Sequence, residues 1–187
     1  SITRTFSLGT HSIAVTVTDS KGATATCGTT VTVVDTTPPV IIAGADVHTT
    51  TDPGQCNATN VQLPAPQVSD NCQVASLTND HPSTTYDHGT TVVTWTVTDI
   101  SGNSATAQQR VNVEDKELPT IECPASILVR TDPGECFASN VNIGVPIVGD
   151  NCGVASVTND YPSTTFLHGT TYVTWTVTDT SGNVAKC

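Results

Sequence analysis

The chain of 187 residues has no methionine, and its only large aromatic side chains are 2 Trp, 3 Tyr and 3 Phe. So little aromatic bulk excludes a single large core and favours small modules with modest cores. Basic residues are equally scarce, 6 Lys and Arg against 17 Asp and Glu, for a formal net charge of -11. Phosphate backbones are held by clustered Lys and Arg, so nucleic acid is excluded as a partner. No apolar run approaches the ~20 residues of a membrane span, so membrane insertion is not expected. No segment carries a helical period. What remains is rich in Val and Thr, which favour pleated, half-buried strands. With charged residues at only 12%, this is not the composition of a disordered acidic tail.

The chain repeats itself every 80 positions without insertion. Thr51-Asp52-Pro53-Gly54 returns as Thr131-Asp132-Pro133-Gly134, and Asp70-Asn71-Cys72 as Asp150-Asn151-Cys152. Thr94-Trp95-Thr96-Val97-Thr98-Asp99 returns as Thr174-Trp175-Thr176-Val177-Thr178-Asp179. Phe6, Gly9 and Asp19 extend the register backwards. The expected division is the back part of one module (1–34), a complete module (35–114) and a module lacking its last strand (115–187). Read this way, the sequence is a window on a longer array. Asp35-Thr36-Thr37-Pro38-Pro39 and Asp115-Lys116-Glu117-Leu118-Pro119 are short linkers stiffened by proline. Val93, Trp95 and Val97 alternate with threonines, the period of a strand with one buried face. About seven short strands per ~80 residues predict an all-β fold of tandem immunoglobulin-like sandwiches.

Seven cysteines resolve in the same register. Cys56 and Cys72 recur as Cys136 and Cys152, which predicts the bridges Cys56–Cys72 and Cys136–Cys152. Each would close a short loop worth roughly 3 kcal/mol. Cys123 and Cys187 correspond to Ala43 and Ala107, absent together in the middle module, so they are expected to bond each other. Cys27 aligns with Cys187, and its expected partner lies ahead of Ser1. Such a framework implies an oxidising, extracellular compartment.

These motifs resemble the HYR (hyalin repeat) module. Its pattern is carried by Ile121-Glu122-Cys123-Pro124, Asp132 to Cys136, Asp150 to Cys152, Gly169 to Val173 and Asp179 to Asn183. The middle module departs from it with Ile41-Ile42-Ala43-Gly44. The resemblance covers the whole chain. It implies an immunoglobulin-like fold, a role in extracellular adhesion or matrix, and no catalytic activity.

An up-and-down sandwich would return Asp35, Asp70 and Asp99 to the pole where the linker enters. Asp115, Asp150 and Asp179 would repeat the cluster one module later. Three close carboxylates repel without a cation, and carboxylates with turn carbonyls are the ligands Ca²⁺ takes. Ca²⁺ is therefore the expected cofactor, placed at the module junctions. The competing reading is that each Asp closes its own turn, Asp99 and Asp179 most of all. Asp52 and Asp132 begin turns at the opposite pole. The five histidines have no metal-ligand spacing, and Trp95 and Trp175 belong to the core. No nucleophile–base arrangement repeats, so the chain is not expected to be an enzyme. Asn57-Ala58-Thr59 is a glycosylation sequon that the next repeat lacks. The expected function is a structural or adhesive stalk or filament. Its expected partners are neighbouring modules, further copies in a fibre, and a cell-surface or matrix partner. The alternatives are an adhesin module that recognises a protein or glycan, with His81 to His88 its most variable loop, and an accessory module of a secreted enzyme.

Overall fold

The computed structural model describes residues 3–187, and among them there is no helix. Strands β1 (Gly9–Thr18) and β2 (Thr24–Val33) belong to the first repeat. The second repeat holds β3 (Val40–Ile42), β4 (Val47–Thr50), β5 (Asn57–Ala58), β6 (Gln67–Ser69), β7 (Val74–Asn79), β8 (Tyr86–Asp87), β9 (Gly89–Asp99) and β10 (Ser104–Glu114). The third holds β11 (Thr120–Glu122), β12 (Phe137–Ala138), β13 (Ile147–Gly149), β14 (Val154–Asn159), β15 (Phe166–Leu167), β16 (Trp175–Asp179) and β17 (Val184–Lys186). The fold is all-β, as the alternation of apolar residues with threonine predicts. By compactness the chain divides in two, out of step with the repeat: the long strands β9 and β10 contribute to both units.

One unit takes the chain through Gly44 with Ala65–Asp80 and Thr94–Gln108. It contains the antiparallel β1–β2 hairpin, in which Thr10 meets Thr32 and Thr16 meets Thr26 through hydroxyl pairs at 3.1 Å. It also contains β3 against β6, and β7 against the end of β9, with Leu77 opposite Val97 and Asn79 opposite Trp95. Val97 is fully buried there and Trp95 half-buried.

The other unit takes Ala45–Pro64, His81–Val93 and Gln109–Cys187. Here β4 runs parallel to the end of β10, β5 pairs with β8, β11 with β13, β12 with β15, and β16 lies between β14 and β17. Its core is Tyr86, Val93, Val111, Val113, Trp175 and Val177. Burying each such side chain stabilises the fold by roughly 1.5–3 kcal/mol. Gln109 is completely buried. Its amide donates to the carbonyl of Ala45 at 2.6 Å and of Pro64 at 3.4 Å, which joins three separate stretches of chain. His81 stacks on Tyr86, and Tyr161, its equivalent, stacks on Phe166.

The 80-residue step is visible in the pairing itself. β7–β9 and β14–β16 share one register, including an irregularity at the second residue of β7 and of β14. A bulge at that point increases twist and re-aims the end of the paired strand, where Asp99 and Asp179 sit. Asn60 and Asn140 both adopt a left-handed backbone, at φ 56° and 53°, a conformation Asn tolerates.

Among the described residues there are two disulfides: Cys123–Cys187, as expected, and Cys56–Cys152. The second corrects both predicted short bridges, Cys56–Cys72 and Cys136–Cys152, since Cys72 and Cys136 are free and exposed. The third repeat gives the reason. The carbonyl of Cys136 accepts from the N–H of His168, beside the β12–β15 pair, while Cys152 follows β13 and lies with Asp150 and Asp179. From His168 the chain must still run through β16 to reach Asp179. Sixteen residues separate the two cysteines: Cys136 precedes β12, which pairs with β15, and Cys152 follows β13, which pairs with β11.

Candidate functional site

The sequence-predicted carboxylates do come together. One ligand oxygen from each of Asp35, Asp70 and Asp99 lies within 4.8 Å of the others, and Asp115, Asp150 and Asp179 repeat the arrangement. Asp99 and Asp179 are 2% exposed and Asp115 6%. Local turn chemistry places each side chain. Asp99 Oδ1 accepts from the N–H groups of Ser101 and Asn103, and its Oδ2 from the Asn103 amide, all at 2.8 Å. Asp179 does the same with Ser181 and Asn183. Asp70 Oδ2 accepts from the N–H groups of Cys72 and Gln73, and Asp150 Oδ2 from those of Cys152 and Gly153. Asp35 Oδ1 accepts from Thr37 N–H and the Asn71 amide.

These bonds use only part of each cluster's capacity. Asp35 Oδ2 and Asp70 Oδ1 are buried without a hydrogen-bond partner in the first cluster, as are Asp150 Oδ1 and Asn151 Oδ1 in the second. Buried acceptors are normally satisfied, and one left over costs about 1–3 kcal/mol. Asp99 and Asp179 use their oxygens to close their turns, whereas turn closure does not account for the orphaned oxygens of Asp35, Asp70 and Asp150. Among the described residues the one ion pair, Lys116 with Glu114 at 2.9 Å, reaches neither cluster.

Hydrogen bonding governs the acidities. Burial pushes the Asp99 and Asp179 carboxyls up, but the Asn103 and Asn183 amides and the turn N–H groups outweigh it and hold both below the ordinary value of 3.8. Thr37 N–H, with the Asn71 amide, lowers Asp35. Burial and the neighbouring Asp35 raise the Cys72 thiol.

The second cluster lies in the same compact unit as the end of the preceding repeat, and side chains join the two. Asp115 Oδ1 accepts from Glu117 N–H at 3.1 Å, the Asn151 amide at 3.3 Å and the Thr51 hydroxyl at 3.4 Å. Asp115 Oδ2 accepts from the Ser181 hydroxyl at 3.1 Å, and Ser181 is 3.3 Å from His88 Nε2. Glu117 takes the Gly54 N–H at 2.8 Å, and the Asn151 amide donates to the Gln55 carbonyl at 2.8 Å. The Cys56–Cys152 bond closes the same seam, with His88 against its sulfurs. No residue pattern marked His88 or Ser181 for this seam. Asp52 and Asp132 close their own turns onto the hydroxyls of Thr59 and Ser139 at 2.7 Å, and the turn that Asp52 begins meets the next repeat through Gly54 and Gln55. Asn57 is half-buried on β5.

The family described as HYR domain matches residues 34–113 and 114–187. Hyalin of Lytechinus variegatus is 34% identical over 188 residues, covering 96% of this chain and 35% of that protein. Hyalin of Strongylocentrotus purpuratus is 32% identical, covering 98% of this chain and 16% of that protein. The Sushi, von Willebrand factor type A, EGF and pentraxin domain-containing protein 1 of Rattus norvegicus is 29% identical over 82% of this chain, which spans 4% of that protein. The chain thus spans about a third or less of each of these relatives. No solved structure matches it.

Proposed function

Because the chain belongs to the HYR domain family, as a tandem of its modules, we propose that it is a structural and adhesive extracellular stalk whose module heads bind Ca²⁺. The supporting observation is the doubled cluster. Three carboxylates converge at the head of each repeat, and each cluster holds two buried oxygens with no donor. An oxygen-only donor set suits a hard cation. Ca²⁺–oxygen distances of about 2.3–2.6 Å put ligands on opposite sides of one ion up to about 5 Å apart, the scale of these clusters. The residues that would hold it are Asp35, Asp70 and Asp99 in one head, and Asp115, Asp150 and Asp179, with Asn151, in the other. Bound there, the ion would offset the mutual repulsion of the carboxylates and stiffen the seam at Thr51, Gly54 and Gln55. Two disulfides are in keeping with an oxidising extracellular setting. Neighbouring modules are then the first partners, and longer arrays or fibres and a surface or matrix ligand come after them.

The test is calorimetry with Ca²⁺ and with a chelator. At calcium about a hundredfold above its dissociation constant, each site adds about 2.7 kcal/mol, which raises the melting temperature by roughly 5–10 °C. Identical melting in calcium and in chelator, with no heat of binding, would refute the cation.

A further inference from the structure

The bond between Cys56 and Cys152 joins two repeats at a separation of 96 residues, one module step plus the sixteen residues between the paired cysteine positions. Its two ends are different positions of the module. Cys56 is the cysteine of the Asp-x-Gly-x-Cys turn, and Cys152 is that of the following module's Asp-Asn-Cys turn. The chain contains one more of each, Cys136 and Cys72, and both are unbonded and exposed.

We propose that Cys72 and Cys136 are the two halves of this same bridge. In the array Cys72 bonds the Asp-x-Gly-x-Cys cysteine of the module before it, and Cys136 bonds the Asp-Asn-Cys cysteine of the module after it. Each free thiol sits in the geometry of its bonded equivalent. Cys72 N–H donates to Asp70 Oδ2 at 2.8 Å, as Cys152 N–H does to Asp150 Oδ2. The Asn71 amide lies 3.4 Å from Cys72 Sγ and 3.2 Å from Asp35, as the Asn151 amide lies 3.8 Å from Cys152 Sγ and 3.3 Å from Asp115. The Cys136 carbonyl accepts from His168 N–H at 2.9 Å, as that of Cys56 accepts from His88 N–H at 3.0 Å. A within-module partner is unavailable to either, because Cys56 and Cys152 hold each other. The same separation of 96 residues puts the partner of Cys72 ahead of Ser1 and that of Cys136 past Cys187.

Each bridge forms when two thiols give up two protons and two electrons to a disulfide-bearing oxidant of the secretory compartment. The oxidant is reduced to a dithiol through a mixed disulfide. Every junction then carries one covalent staple beside its acidic cluster, whether or not that cluster holds a cation.

The full-length protein, alkylated and digested without reduction, provides the test by mass spectrometry of linked peptides. The Cys136 peptide is expected on the Asp-Asn-Cys peptide one module later, and the Cys72 peptide on the turn peptide one module earlier. Recovery of either cysteine alkylated, linked within its own module, or linked to the other would overturn the proposal. In a Cys136→Ser variant, one new alkylatable thiol should appear, in the next module. A new thiol within the same module, or none at all, would equally overturn it.

Discussion

Asp150 and Asp179 belong to the same cluster but do different work. Both Asp179 oxygens hold the turn through Ser181 and Asn183, so Asp179→Ala should cost about 2–4 kcal/mol in chelator as well as in calcium. Asp150→Asn keeps an oxygen for the Cys152 and Gly153 N–H groups and removes one charge from the cluster. Its stability in chelator should be unchanged or slightly raised, while the calcium-dependent rise in melting temperature attributed to this head disappears. Chemical denaturation of the two variants, with and without calcium, separates the roles. The depressed carboxyls also fix a sign for pH. Asp35, Asp99 and Asp179 have folded values below 3.8, so the unfolded chain takes up protons first on acidification. Their contribution is complete above that value and is lost as pH falls through the lower folded values. Melting in chelator should therefore be level between pH 7 and 5 and fall below about pH 4. A rise on acidification would mean that repulsion within the clusters outweighs their hydrogen bonds.

Among the strands, alternation was the legible signal. Val93, Trp95 and Val97 with their threonine neighbours define β9, and the same pattern defines the core stretch of β16. The turn aspartates were legible for a related reason: an Asp followed two and four positions on by backbone donors makes the same closed turn wherever it recurs. The shared irregularity of β7 and β14 was not, because a bulge is set by cross-strand pairing, which spacing along one strand does not encode. Gln109 was equally hidden, since its polar side chain breaks the apolar pattern and is burial-compatible only through the Ala45 and Pro64 carbonyls. Gln109→Ala should lower stability by about 2–3 kcal/mol in denaturant titration, through a cavity and two carbonyls left unsatisfied. Hydrogen exchange should rank the elements by burial. In this 187-residue chain, amides of β10 around the buried Val111 and Val113 should be the slowest, and those near the exposed β1–β2 turn the fastest.

For the whole molecule the repeat identified the modules and left the bridges between them ambiguous. In a tandem array the same two cysteine positions flank every junction, so a spacing of sixteen fits a bond inside a module and a spacing of 96 fits a bond across the junction. The turn that leads into Cys56 decides between them: its Gly54 N–H and Gln55 carbonyl bond Glu117 and Asn151 of the next repeat, which brings Cys56 to Cys152. Cys56→Ser should remove up to about 4–5 kcal/mol of stability by the loop-length estimate, measured by equilibrium unfolding. The carboxylate clusters survived the passage from sequence to structure better, because each depends on turn residues that the topology returns to one end.

The bond from Cys56 to Cys152 also decides where a pulling force travels. Tension entering ahead of Cys56 crosses two sulfur atoms and leaves after Cys152, so the chain between them bears no load. That stretch, 96 positions long, would otherwise pay out about 320 Å if drawn straight. A module in this arrangement can unfold without lengthening the tether it belongs to.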